Sequence, residues 1–208
     1  MNDWAVLGSV FAVHLLAMLS PGPNVLVVTQ TAASRARRAG VCAALGIATG
    51  AALMSSAALA GLGFVFGEFA WLHAMLKLVG GGYLVYLGVR LWRSARTPAA
   101  LGPPPDAVAR TDWRAFGLGL VTNLTNPKAL LFYGSVFAAL FGPDAPRWLK
   151  LAAIGVIAAN STAFHVALAC LFATPRAQAG YRRIKPAVDR IAGAGLAALG
   201  LRLMLPSR

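Results

Sequence analysis

Residues 117–129 read Gly-Leu-Gly-Leu-Val-Thr-Asn-Leu-Thr-Asn-Pro-Lys-Ala, inside a largely apolar run from Phe116 to Phe141 that puts Pro127 and Lys128 near its middle. A run of this length is what a membrane-spanning helix needs, about 20 apolar residues for a hydrocarbon core about 30 Å thick. Pro127 removes a backbone donor and obstructs the carbonyl four residues earlier, so the helix must break at Asn126-Pro127. In lipid, a carbonyl freed in this way is tolerated only against protein or a water-filled cavity, and a lysine at that depth costs about 2.5–3.5 kcal/mol unless it is met. Break and charge are therefore expected to face the interior of a helix bundle.

A second stretch of the same kind stands at Leu19-Ser20-Pro21-Gly22-Pro23-Asn24, inside the first apolar run. Pro21 and Pro23 each delete a donor, and Gly22 frees the chain between them. The offset that carries Leu19 onto Leu124 also carries Gly50 onto Gly155. Six apolar runs result: Trp4–Ala33 (broken), Val41–Phe66, Ala70–Trp92, Phe116–Phe141, Leu149–Ala173 and Ala187–Leu205. They are continuous and rich in Ala, Leu and Gly, without the short alternation of a transmembrane barrel.

The fold class expected is an all-α membrane protein of six transmembrane helices, arranged as two inverted three-helix repeats. An odd number of spans per half reverses the insertion of the second half. Residues 1–208 form a single integral membrane unit, with repeat 1 at 4–92, a cytoplasmic linker at 93–115 and repeat 2 at 116–205. Pro98, Pro103, Pro104 and Pro105 mark the linker as polar and structureless.

Composition agrees with this. Of 208 residues 58% are hydrophobic and 12% charged, with a mean hydropathy of +0.68, where a soluble domain has about 45–50% and about 25%. The net charge of +13 does not point to nucleic acid, because no basic helix with interleaved aromatics lies outside the apolar runs. Arg35, Arg37, Arg38, Arg90, Arg93, Arg96, Arg110, Arg114, Arg176, Arg182, Arg183, Lys185 and Arg190 fall in or beside the first, third and fifth connections; Arg147, Lys150, Arg202 and Arg208 fall on the other side. The positive-inside rule makes the first set cytoplasmic and leaves both termini periplasmic. The N-terminus lacks a basic flank and a cleavage site, so it reads as a retained span.

Both breaks lie about 16 Å from the cytoplasmic end of their spans, near mid-membrane. The half-helix starting near Asn24 would offer unpaired N–H groups and a positive dipole end to a carboxylate, and freed carbonyls would accept from an ammonium. A zwitterionic amino acid matches both. A simple packing kink is the structural alternative for each break. Lys128 has two readings of equal standing: a point charge for a substrate carboxylate, or a cap for carbonyls freed at the broken first helix. Lys77 snorkels toward the external surface. His14 and His165 lie well inside spans and serve as interhelical hydrogen-bonding groups or as proton-coupling sites. Asn123, Asn126 and Asn160 line the path or join helices.

Asp3, Glu68, Asp106, Asp112, Asp144 and Asp189 map to loops or span ends, so an intramembrane carboxylate is not expected. No metal site and no cofactor follow from the sequence, since neither soft thiolates nor carboxylates converge. Ser161 and His165, one turn apart, read as a packed polar pair, not a catalytic one. Gly46 with Gly50, Gly80-Gly81-Gly82, and Gly193, Ala197 and Gly200 allow close helix contact within the chain or in a homo-oligomer.

Ser20-Pro21-Gly22-Pro23-Asn24, Gly80 to Gly88 (GGGYLVYLG) and Gly117 to Ala129 together resemble the lysine/homoserine/threonine exporter family, often called LysE/RhtB. The resemblance spans nearly the whole chain and implies export of amino acids or related metabolites across the bacterial inner membrane, driven by the proton-motive force. It implies a translocation site at Pro21, Gly22, Pro23, Asn24, Asn123, Asn126, Pro127 and Lys128, with a small-molecule amino acid and the lipid bilayer as partners. Many members carry Asp at the position of Asn24, and some carry another in the fifth span, where this chain has Asn160, Ser161 and Thr162. Loss of those carboxylates favours neutral substrates over lysine-like ones. The competing reading is a membrane-embedded thiol redox relay through Cys42 and Cys170, in the second and fifth spans.

Overall fold

The computed structural model describes residues 2–19, 22–34, 37–68, 70–96, 112–142 and 144–205. Ser20, Pro21, Arg35 and most of the linker, 97–111, lie outside the described residues, as does the side chain of Lys77. Eight helices follow in order: α1 Asp3–Leu19, α2 Pro23–Ser34, α3 Arg37–Glu68, α4 Ala70–Ser94, α5 Asp112–Leu124, α6 Pro127–Leu140, α7 Arg147–Phe172 and α8 Pro175–Met204. No strand occurs among the described residues.

The helix limits follow local chemistry. Asn2 Oδ1 accepts from Ala5 N at 2.9 Å and starts α1. Proline occupies the first position of α2, α6 and α8, where its missing N–H costs nothing. Each expected broken span is a helix pair, α1 with α2 and α5 with α6, so the order pair, long helix, long helix occurs twice. The axes of Asp3–Leu19 and Pro23–Ala33 differ by 62°. Arg37–Gly61 and Arg147–Phe172 are long and apolar enough to cross a membrane alone, and the α1–α2 pair is a third candidate.

Some expected boundaries shift. α4 continues to Ser94 and α5 begins at Asp112, so the linker expected at 93–115 is helical at both edges. α8 starts at Pro175, a full three turns before the expected Ala187, with Pro186 carried inside it. Asp189, expected at the end of a span, is therefore mid-helix and 0% exposed.

Glycine contacts give the helix directions. Gly81 meets Gly200 and Gly88 meets Gly193, so α4 and α8 run antiparallel, backbone against backbone. Gly119 meets Ala43, Gly46 meets Leu120 and Gly50 meets Asn123, so α3 and α5 run parallel. Gly155, the sequence counterpart of Gly50, faces open space, so that correspondence does not extend to packing. At the Arg-rich end the three basic connections converge. Arg38 pairs with Asp112 at 2.6 Å, Arg37 Nε donates to Cys170 Sγ at 3.2 Å, and Lys185 Nζ donates to the Ser94 carbonyl at 3.1 Å.

Two apolar clusters fill the bundle. One joins Val10, Val13 and Ala17 of α1 to Phe132, Tyr133 and Phe137 of α6, with Leu87 and Leu196 behind them. The other joins Val25 and Val28 of α2 to Ala44 and Ile47 of α3 and Leu168 and Phe172 of α7. Along α7, Ile157 belongs to the first and Leu168 to the second, and Ser161 and His165 fall between. Both helix breaks lie in the same intervening layer.

Candidate functional site

A cavity occupies that layer, lined from α1, α2, α5, α6 and α7. Its floor is built by the second break. Asn126 is extended, φ −78° and ψ 108°, and its Oδ1 accepts from Lys128 N at 3.0 Å, which caps α6 behind Pro127. Its Nδ2 donates to Asn24 Oδ1 at 3.3 Å. The start of α2 and the start of α6 are thus joined directly, asparagine to asparagine.

Lys128 reaches across to the first break. Nζ donates to the Ala17 carbonyl at 3.0 Å, and the Tyr83 hydroxyl of α4 donates to the Lys128 carbonyl at 3.3 Å. The geometry realises the capping role, while the side chain still lines the cavity beside Asn24 and Asn126. On the facing side, the N–H groups of Asn24 and Val25 belong to the first turn of α2, where helix N–H groups lack an intrahelical acceptor, and both residues line the cavity. They form a positive dipole end suited to a carboxylate.

The remaining wall is polar without charge. Asn123 is 2% exposed, lines the cavity and leaves Oδ1 without a partner among the described residues. Gly50 makes room for it, because a Cβ there would come within 2.9 Å of Asn123 Cβ. His14 Nε2 shares a 3.3 Å hydrogen bond with the Tyr133 hydroxyl, and its Nδ1 is buried without a partner among the described residues. His165 Nδ1 lies 2.9 Å from the Ser161 carbonyl and 3.3 Å from the Ser161 hydroxyl. This intrahelical contact orients the ring toward the cavity.

Of the sequence-derived site residues, Gly22, Asn24, Asn123, Asn126, Lys128, His14 and His165 are brought together around one cavity. Pro23 and Pro127 are exposed and act by shaping the backbone. Asn160 is not on the cavity wall; its Nδ2 donates to the Phe11 carbonyl at 3.1 Å and joins α7 to α1. Phe132 and Tyr133, which also line the cavity, are absent from the sequence-based set. The helical face running from Asn126 through Ala129 to Tyr133 carried the signal, at spacings of three and four.

Cys42 and Cys170 are free thiols and lie off the cavity wall.

Residues 15–207 match the sequence profile of the LysE type translocators. The chain belongs to that family. It is 35% identical over 198 residues to the threonine efflux protein of Escherichia coli (strain K12), covering 95% of this chain and 96% of the relative. The threonine efflux protein of Salmonella typhi is 36% identical over 199 residues, with the same shares. The homoserine/homoserine lactone efflux protein of Salmonella typhimurium (strain LT2) is 29% identical over 141 residues, covering 68% of this chain and 67% of the relative. No solved structure matches. Membership, together with the long apolar helices, makes this translocator a membrane protein, and the thiol relay has no support.

Proposed function

We propose that this translocator exports a neutral amino acid, with threonine and homoserine the first substrates to test, from the cytoplasm across the bacterial inner membrane. The observation that carries the reading is the Asn24–Asn126 hydrogen bond, which joins α2 to the start of α6 beside one cavity and supports a site shared by two halves. That is the arrangement of a secondary transporter whose halves rock about a central site. Support for substrate type comes from the efflux relatives and from a cavity wall with no carboxylate among the described residues.

Six spans in two inverted repeats, with both termini periplasmic, complete the proposal. The recurring order of broken pair and two long helices favours it, as do the antiparallel α4–α8 and parallel α3–α5 contacts, which alternating insertion requires. Convergence of the three basic connections at one end is what a cytoplasmic face would show. In the cavity, the substrate carboxylate binds at the start of α2 beside Asn24 and Lys128, and the ammonium is accepted by Asn123 Oδ1. Gly22 and Pro23 leave the start of α2 open, Pro21 and Pro127 make the breaks, and His14 and His165 line the path.

The test is release of free amino acids from dipeptide-loaded bacteria expressing the chain, profiled by mass spectrometry. Faster release of threonine or another neutral amino acid, lost in Lys128→Ala and Asn123→Ala, is expected. Unchanged release of every amino acid, with the protein present in the membrane, would sink the proposal.

A further inference from the structure

The stretch from Gly80 to Gly88 in α4 contributes no residue to the cavity wall, yet it packs closely on two sides. Gly81 and Gly88 meet Gly200 and Gly193 of α8. Gly80 turns the other way: a Cβ there would come within 2.9 Å of the Ser135 carbonyl oxygen and 3.0 Å of Ser135 Cα in α6. Tyr83, one helical turn on and so on the face of Gly80, is half-buried against the first apolar cluster. Its hydroxyl donates to the Lys128 carbonyl at 3.3 Å.

A phenol in an apolar span is favourable only when its hydroxyl finds a partner. Carbonyl oxygens carry two lone pairs, so that of Lys128 can accept from the phenol and still accept from the helix N–H one turn on. The choice of acceptor matters. Lys128 stands in the first turn of α6, directly after Pro127, and its Nζ donates to the Ala17 carbonyl of α1 at 3.0 Å. The residue is therefore held at both ends, its main chain by α4 and its side chain by α1. A lysine ammonium sits on a flexible four-carbon stem, so where it stands in the cavity depends on how firmly its own backbone is placed. The α4 helix is suited to that task because its other face is fixed against the backbone of α8.

We propose that Tyr83 is a positioning residue for substrate binding: its hydroxyl fixes the first turn of α6 so that the Lys128 ammonium stands where the substrate carboxylate binds. The inference rests on the export reading above, in which Lys128 and the start of α2 meet that carboxylate. Tyr83 itself lies off the cavity wall and acts through Lys128. Gly80 permits the bond, because a side chain there would push α4 away from Ser135 and lift the hydroxyl off its acceptor.

Action through position has a kinetic signature. Weaker binding of the carboxylate, equal in the ground state and the transition state, raises KM and leaves the maximal rate alone. A hydroxyl that only held the fold together would instead lower the melting temperature and the active fraction, and so the maximal rate, without moving KM.

The experiment follows threonine–threonine exchange by the full chain in proteoliposomes, with labelled threonine as probe over a range of concentrations. Tyr83→Phe removes the hydroxyl and keeps the ring, so its packing is retained. The KM for threonine is expected to rise about three- to tenfold, the effect of one hydrogen bond, with the maximal rate within about twofold of wild type. The melting temperature in detergent should be unchanged. Gly80→Ala keeps the hydroxyl but separates the helices, and should raise KM in the same way. The double variant should raise it no further than the larger single effect, because both changes act through one contact. A wild-type KM in Tyr83→Phe would overturn the proposal, as would a maximal rate that falls as far as KM rises. No exchange of threonine by the wild type, nor of any amino acid in a panel, would instead defeat the export reading itself.

Discussion

Lys128 of α6 donates from Nζ to the carbonyl of Ala17 in α1 at 3.0 Å, and the residue four positions after Ala17 is Pro21, which has no N–H to give. The lysine of one break supplies the donor that the proline of the other removes. Truncation by Lys128→Ala should leave that carbonyl unmet and cost about 1–3 kcal/mol, read as a lowered melting temperature in detergent. Pro21→Ala restores an N–H at position 21. In that background Lys128→Ala should cost markedly less, so a double-mutant cycle should show coupling well above 0.5 kcal/mol. Strict additivity would show that Lys128 does not act through this carbonyl.

The Asn24–Asn126 pair separates structure from selectivity. Asn24→Asp keeps the oxygen that accepts from Asn126 Nδ2 and makes the bond charge-assisted, so stability should hold. It also puts a carboxylate on a wall that has none among the described residues. Release of lysine relative to threonine from dipeptide-loaded cells should rise by about tenfold. Asn126→Asp retains the cap on Lys128 N but loses the donor to Asn24, so it should fold and transport poorly. An unchanged lysine-to-threonine ratio in Asn24→Asp would place the ammonium elsewhere.

Gly46 and Gly119 set the α3–α5 distance. A Cβ on Gly46 would run into the Phe116 carbonyl, and one on Gly119 into the Ala43 carbonyl. Backbone cannot yield as a side chain does, so Gly46→Ala and Gly119→Ala should each cost about 1–3 kcal/mol. Gly155→Ala and Gly134→Ala meet nothing within 4 Å and should be neutral or stabilising by up to about 1 kcal/mol. Thermal melts of the four variants decide this. Equal melting temperatures would remove the close contact.

Much of this was legible in the sequence because membrane physics leaves few options. Prolines in apolar runs must break helices, and their partners must be polar, which points to Asn24, Asn126 and Lys128 from the sequence. The capping role of Lys128 stood as one of two readings, since one sequence shows spacing along a helix and not which carbonyl lies opposite. Asp189 is hidden because Pro186 and the charged residues before it conceal a helix that begins at Pro175, not Ala187, and buries Lys185 and Asp189 against Ser94. Tyr133 was passed over because an aromatic residue in an apolar span looks like any other core side chain until His14 is placed beside it.

The two cysteines give a last discriminating measurement. A thiol relay needs its sulfurs to meet each other or a substrate, yet Cys42 and Cys170 are both free and neither lines the cavity. Cys170 accepts from Arg37 Nε at 3.2 Å, a contact between the start of α3 and the end of α7 that an alanine would lose at small cost, because the arginine is exposed and can turn to water. The Cys42→Ala, Cys170→Ala double variant should therefore release amino acids within about twofold of wild type, since exposed polar contacts contribute about 1 kcal/mol or less. Its release should also be indifferent to added reductant or oxidant. A collapse of export in the double variant, with normal membrane abundance, would restore thiol chemistry to the mechanism and require a conformation that brings the sulfurs to the break layer.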